Sequence, residues 1–196
     1  YSSGPYSTPA LETNRVYAWG AEGRIHCLDL RDGSPVWQRH LSDDFSVAEG
    51  LFAVGSSPLV WDDRLILIVG GEEQNAGIVA LDKTTGRTLW TATDHAAGYA
   101  TPVAATIHGR HHIFALTAAG LVSLDPTNGA VDWTIPFRPK KVDSANAVTP
   151  LVVDDLVFVT AGPGAGCCCI ELQPGGGYRE IWKGRRILDR QVNHHV

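Results

Sequence analysis

Short apolar runs, each closed by a cluster of Gly, Pro, Asp, Asn or Thr, recur along the whole chain, the pattern of many short strands joined by tight turns. Residues 57–93 give the clearest example, with four runs reading SPLVWDD, RLILIVGG, GIVALDK and RTLWTAT. Four runs can be read the same way in residues 7–41 (STPALETN, RVYAWG, RIHCLDL, SPVWQRHL), in 101–136 (TPVAATIHG, HHIFALTA, GLVSLDP, AVDWTIP) and in 149–184 (TPLVVDD, LVFVTAG, CCCIELQ, YREIWKG). The longest clearly apolar runs, Leu65 to Val69 and Leu156 to Val159, are strand-sized and far below the roughly 20 residues needed to span a bilayer as a helix.

Two independent marks show that these quartets are copies of one unit. Leu28 to Trp37 (LDLRDGSPVW), Leu81 to Trp90 (LDKTTGRTLW) and Leu124 to Trp133 (LDPTNGAVDW) align without gaps, placing Asp29, Gly33 and Trp37 in register with Asp82, Gly86 and Trp90 and with Asp125, Gly129 and Trp133. A fourth copy, ELQPGGGYREIW, ends at Trp182 with the acid and spacing degraded. The second mark is Thr8-Pro9, Ser57-Pro58, Thr101-Pro102 and Thr149-Pro150. Both marks recur at about 40 to 50 residues, the length of a propeller blade. The chain is thus expected to be all-β, a β-propeller of four-stranded antiparallel blades at approximately 6–41, 55–93, 99–137 and 147–185, with residues 190–196 as the stub of a further blade. A lone blade cannot bury both faces, so blades must stack, and the periodic tryptophan suits that interface.

Composition narrows the function. A formal net charge of −5 offers no general attraction for nucleic acid or an anionic membrane surface. Cys27, Cys167, Cys168 and Cys169 are too few and too clustered for a disulfide framework and lack zinc-site spacing. The chain starts at Tyr1 without an initiator Met or a signal segment, so an upstream segment is expected.

The repeat L-D-x-x-[TDN]-G-x-x-x-W resembles the tryptophan-docking motif of the quinoprotein alcohol dehydrogenases and of the outer-membrane assembly lipoprotein that shares their propeller. The resemblance covers essentially the whole chain. It implies a ring of seven or eight blades, of which about four are present, with a closed four-bladed ring as the alternative. It also implies a periplasmic or secreted location.

In an up-and-down blade the docking turns share one end, leaving the blade-to-blade segments at the other, where a rigid scaffold usually carries its binding residues. Candidates there are Glu49, His95, Tyr99, Lys140, Lys141, Asn146, His194 and His195, with the plain alternative that each is a solvated loop residue. No nucleophile elbow, H-E-x-x-H or phosphate loop occurs, so no catalytic or metal residue is assigned. His111 and His112 alternate across a strand and read as structural, Gly162 to Gly166 reads as a hairpin loop, and the Cys167–Cys169 run reads as buried thiols.

The expectation is a non-catalytic propeller binding a protein or small ligand at the blade-to-blade end without a cofactor, and able to self-associate through open blade edges. The alternative that the resemblance implies is a dehydrogenase using the quinone PQQ and calcium, with Glu49, Asn146 and Lys141 as candidates.

Overall fold

The computed structural model describes residues 7–20, 22–47, 55–140 and 145–184. They form four antiparallel sheets, each taking its four strands in chain order. Blade 1 holds β1 (Ala10–Glu12), β2 (Arg15–Trp19), β3 (Arg24–Asp29) and β4 (Pro35–His40). Blade 2 holds β5 (Leu59–Trp61), β6 (Arg64–Gly71), β7 (Ala76–Asp82) and β8 (Thr88–Ala92). Blade 3 holds β9 (Val103–Ile107), β10 (Arg110–Leu116), β11 (Gly120–Leu124) and β12 (Val131–Pro136). Blade 4 holds β13 (Leu151–Val153), β14 (Leu156–Ala161), β15 (Gly166–Leu172) and β16 (Tyr178–Gly184). A single helical turn, α1 (Leu41–Asp44), and a 3-10 turn at Glu72–Gln74 break the all-β pattern; the apolar alternation does not announce them.

Strand alternation explains the stacking. In blade 2, Leu65, Leu67, Val79 and Leu81 point back to Tyr17, Trp19, Ile25 and Cys27 of blade 1. Ile66, Ile68, Ile78 and Ala80 point forward to Ile113, Ala115, Val122 and Leu124 of blade 3. Both faces are buried, and so both parities of β6 and β7 are apolar. Phe114, Leu116 and Leu121 of blade 3 meet Val157, Val159, Cys168 and Ile170 of blade 4. Among the described residues these three interfaces account for the buried apolar clusters, and none of them joins blade 4 to blade 1.

The tryptophans of blades 1 and 2 are aimed by their own blade and caught by the next. A register shift lies beside Trp37, Trp90, Trp133 and Trp182, and each pairs with a small residue, Cys27, Ala80, Ser123 and Cys169 respectively, leaving room for the indole. The Trp37 indole then donates to the Lys83 carbonyl at 3.0 Å, and the Trp90 indole donates to the Pro126 carbonyl at 3.0 Å. Both acceptors are the third residue of the following blade's motif.

The motif aspartate holds that turn in shape. Asp82 Oδ1 accepts the Thr84 and Thr85 backbone N–H groups at 2.9 and 2.8 Å, while Gly86 N–H donates to the Asp82 carbonyl at 2.8 Å. These bonds, that from Thr85 foremost, hold the Asp82 carboxyl below its ordinary pKa. Gly86 sits at φ +73° and Gly129 at φ +74°, and a Cβ there would lie 2.7 and 2.6 Å from the docked indole, so glycine is required twice over. At the inner edge the Thr/Ser-Pro mark adds a second link, with Thr8 N–H donating to Ser57 Oγ at 2.8 Å and Ser57 N–H to Thr101 Oγ1 at 3.4 Å.

The joint between blades 3 and 4 is built differently. Beyond Ile170↔Glu180, the β15–β16 hairpin adds the pairs Glu171↔Arg179 and Leu172↔Tyr178 before closing, whereas β11–β12 ends at Leu124↔Val131. The shifted turn leaves the buried Trp133 indole N–H without a partner, and its ring packs on Tyr178 at 4.8 Å. Glu171 replaces the motif aspartate and is taken by Arg179 at 2.8 Å and Gln173 at 2.7 Å.

The same joint buries His112, as strand alternation requires, while His111 is exposed and set edge-on to Trp61. His112 Nδ1 lies 3.2 Å from both Ser123 Oγ and Asp132 Oδ2, and its ring stacks on Phe114. Burial pushes its pKa down, opposed by Asp132. All four cysteines are buried; burial raises the pKa of Cys27, Cys168 and Cys169, which suits structural thiols.

Trp90→Ala should cost about 3–5 kcal/mol in chemical denaturation. Trp90→Phe should cost more than Trp133→Phe, because only the former strands a carbonyl that had a donor. Because its pKa is held below the ordinary value of about 6.5, folded His112 stays neutral to a lower pH than it does in the unfolded chain. Its contribution is therefore present above about pH 6.5 and lost as the pH falls toward its lowered folded value. Melts at pH 7.5 and 5.5 should show a larger acid loss in the wild type than in His112→Gln.

Candidate functional site

The docking turns and the first-to-second strand turns share one end of the blades, as bonds from Leu30 N–H to the Asn14 carbonyl and from Lys83 N–H to the Asp63 carbonyl show. The blade-to-blade segments lie at the other end with the second-to-third strand turns, where Leu41 N–H donates to the Gly23 carbonyl and Ala118 N–H to the Ala96 carbonyl.

Four of the eight candidates fall in the described residues, and three of these are drawn together around a residue that the sequence did not single out. Thr117, fully buried in the β10–β11 turn, has its Oγ1 3.0 Å from His95 Nδ1 and its carbonyl 2.7 Å from Asn146 Nδ2. Asn146 donates its second amide hydrogen to the Phe137 carbonyl at 2.7 Å, and its own carbonyl accepts Tyr99 N–H at 2.7 Å. Two carbonyl acceptors fix the orientation of the amide. The result is a brace across the blade 2–3 and blade 3–4 connections.

Glycines let the brace close. A Cβ on Gly55 would meet the Tyr99 ring at 2.2 Å, and one on Gly98 would meet the Leu116 carbonyl at 2.3 Å. Lys140 stands apart: it is exposed, its N–H donates to the Pro163 carbonyl at 3.1 Å, and its stem lies over Gly164 in the β14–β15 hairpin loop. Asp43 and Asp44 at this end are engaged by His40 and by Arg39, the latter at 2.7 Å. Glu49, Lys141, His194 and His195 lie outside the described residues.

Asn146 Oδ1 is buried and has no hydrogen-bond partner among the described residues. A calcium ion takes six to eight oxygens, whereas no group of three or more His, Cys, Asp or Glu side chains that could hold a metal gathers among the described residues.

A second cleft lies at the docking-turn end between blades 1 and 2, lined by Glu12, Asn14, Arg15, Tyr17 and Lys83. Its charges are already matched, Arg15 with Asp29 at 2.5 Å and Lys83 with Glu12 at 2.8 Å. Burial, followed by the nearby Cys27 and Glu12, pushes the Tyr17 hydroxyl up to about 12. The Lys83–Glu12 pair ties blade 2 to blade 1, while Arg15–Asp29 lies within blade 1.

The model of the family described as outer membrane protein assembly factor BamB matches residues 2–192. The outer membrane protein assembly factor BamB of Burkholderia pseudomallei is 23% identical over 174 residues, 88% of this chain and 41% of that protein. The quinoprotein ethanol dehydrogenase of Pseudomonas aeruginosa is 24% identical over 169 residues, 78% of this chain and 26% of that protein. The crystal structure of BamB from Moraxella catarrhalis superposes with a TM-score of 0.66 at 19% identity, covering 91% of this chain and 51% of that one. The chain thus spans only part of the curated relatives it matches, between 18% and 41% of their length. Among the described residues no helix is long and apolar enough to cross a membrane.

Asn146→Ala should cost about 2 kcal/mol or more, because it strands two buried carbonyls. His95→Ala removes a single contact from a half-buried ring and should cost about 1 kcal/mol. Equal, near-zero effects in denaturant titrations would mean that the brace does not hold the loops.

Proposed function

The chain belongs to the outer membrane protein assembly factor BamB family of propellers, and from that premise we propose that it is a non-catalytic scaffold binding a protein at its blade-to-blade end. The observation that carries this reading is the brace. The Asn146 side chain is spent on the Thr117 and Phe137 carbonyls, the His95 ring bonds the Thr117 hydroxyl, and Tyr99 joins them through its backbone N–H. A rigid loop platform on stacked blades suits recognition of a partner surface, because little ordering is left to be done on binding.

The partner we assign is a protein component of outer-membrane assembly, the process for which the family is named, and the compartment that follows is periplasmic. The relative that oxidises ethanol keeps a quinone-dependent reaction as the contrasting reading.

Photo-crosslinking amino acids placed singly at His95 and Lys140 in living bacteria should capture an envelope protein, whereas the same group at Asp32 or Thr127 should not. Capture only from the docking-turn end would contradict the assignment of the binding face. Dye-linked alcohol oxidation on adding the quinone and calcium would overturn the non-catalytic reading.

A further inference from the structure

One place in the blade stack is filled differently at each of the three joints. Arg15, Arg64 and Arg110 open the second strands of blades 1, 2 and 3, paired with Glu12, Trp61 and Ile107. Two residues on, facing the next blade, stand Tyr17, Ile66 and His112. Ile66 has no polar side-chain atom to satisfy, and His112 is held by Ser123 and Asp132. Tyr17 is 2% exposed, yet its hydroxyl has no hydrogen-bond partner among the described residues, and the residue lines the cleft between blades 1 and 2. A buried polar group left in this way calls for a partner.

The corner around it also stays open only here. At the joint of blades 2 and 3 the Arg64 guanidinium lies 5.6 Å from the Trp61 ring and donates to the Thr127 carbonyl at 3.3 Å, closing the gap with side chains. At the joint of blades 1 and 2, Glu12 stands in place of Trp61 and is drawn to Lys83, which leaves a cleft of about 290 Å³. That is at the small end of the range for small-molecule sites, about 300 to 1,000 Å³. Both walls belong to an internal joint, and the residues flanking them, 7–20 and 55–93, are all described.

What the walls have left over is mainly hydrogen-bond donation. Arg15 commits one terminal nitrogen to Asp29 at 2.5 Å and to the Asn14 carbonyl at 3.3 Å, and its other N–H groups have no acceptor among the described residues. Lys83 gives hydrogens to Glu12 and to the Asp62 carbonyl and keeps a third. The Glu12 carboxylate has lone pairs beyond those that Lys83 engages. Each cation already has its carboxylate, so a free anion meets no uncompensated charge. The set suits an uncharged ligand whose groups both accept and donate.

We propose that the cleft between blades 1 and 2 binds one ring of a neutral saccharide through the Tyr17 hydroxyl, Arg15, Lys83 and Glu12. A sugar hydroxyl accepts from a cation and donates to a carboxylate at once, and a vicinal pair of hydroxyls matches the Lys83–Glu12 pair. Tyr17 acts as a donor and not as a base, since burial raises its pKa to about 12. The cleft is at the opposite end of the blades from the brace, so this site and a protein on the blade-to-blade end do not compete.

Titration of the full chain with methyl β-glucoside and with N-acetylglucosamine, followed by NMR, should shift the Trp37 indole N–H, which is bonded to the Lys83 carbonyl, and leave that of Trp90 in place. Tyr17→Phe keeps the ring and should weaken binding about 10-fold while leaving the melting temperature unchanged. Acetate and inorganic phosphate should produce no saturable shift. The proposal is overturned if neither sugar gives a saturable shift up to about 100 mM, well above a millimolar Kd, or if only the anions do. It is equally overturned if Tyr17→Phe binds as tightly as the wild type, or melts lower because the hydroxyl serves the fold itself.

Discussion

Everything in this structure depends on one contact, the indole of a blade's last strand laid on the third-to-fourth strand turn of the next blade. A four-stranded sheet has two apolar faces and no helix to cover them, so it persists only when another sheet lies on each side. Apolar faces alone would let sheets slide past one another, since burial is non-directional. The indole N–H, directed at a single carbonyl such as that of Pro126, sets the register and makes the stacking specific.

That contact constrains the chain at four places at once. The tryptophan needs a register shift and a small cross-strand neighbour in its own blade. The receiving turn needs an aspartate to gather its N–H groups and a glycine to admit the ring. Where blade 4 changes the turn, the consequence is confined to the facing tryptophan: Trp133 keeps its burial but loses its acceptor, and aromatic packing on Tyr178 takes over. The joint is retained with less directionality, and it is also the one that carries the buried His112–Ser123–Asp132 cluster.

The fold was legible because its governing residues are local and irreplaceable. Asp82, Gly86 and Trp90 each answer a backbone requirement within ten residues of chain, so they recur at a fixed spacing. The small residue opposite the tryptophan was not legible: Cys27, Ala80, Ser123 and Cys169 serve one steric purpose with three chemistries. The loop end was legible as a location and much less so as a mechanism. Tyr99 and Asn146 do meet there, but Thr117, which ties Asn146 to His95, is linked to them across 22 and 29 residues with no motif to mark it. Nor does the degraded fourth repeat reveal, as sequence, that its hairpin has grown by two pairs; only the register shows that.

A platform whose polar loop residues are consumed by its own backbone is suited to presenting a surface, and the stability of that surface traces back through the blades to the docked indoles. Hydrogen exchange of the tryptophan indole N–H groups, followed residue by residue by NMR, tests this most directly. Trp37 and Trp90 should exchange only on global unfolding, as hydrogen-bonded groups in the core of the stack. Exchange at the rate of a free indole at either position, in a chain that is otherwise folded, would contradict the account.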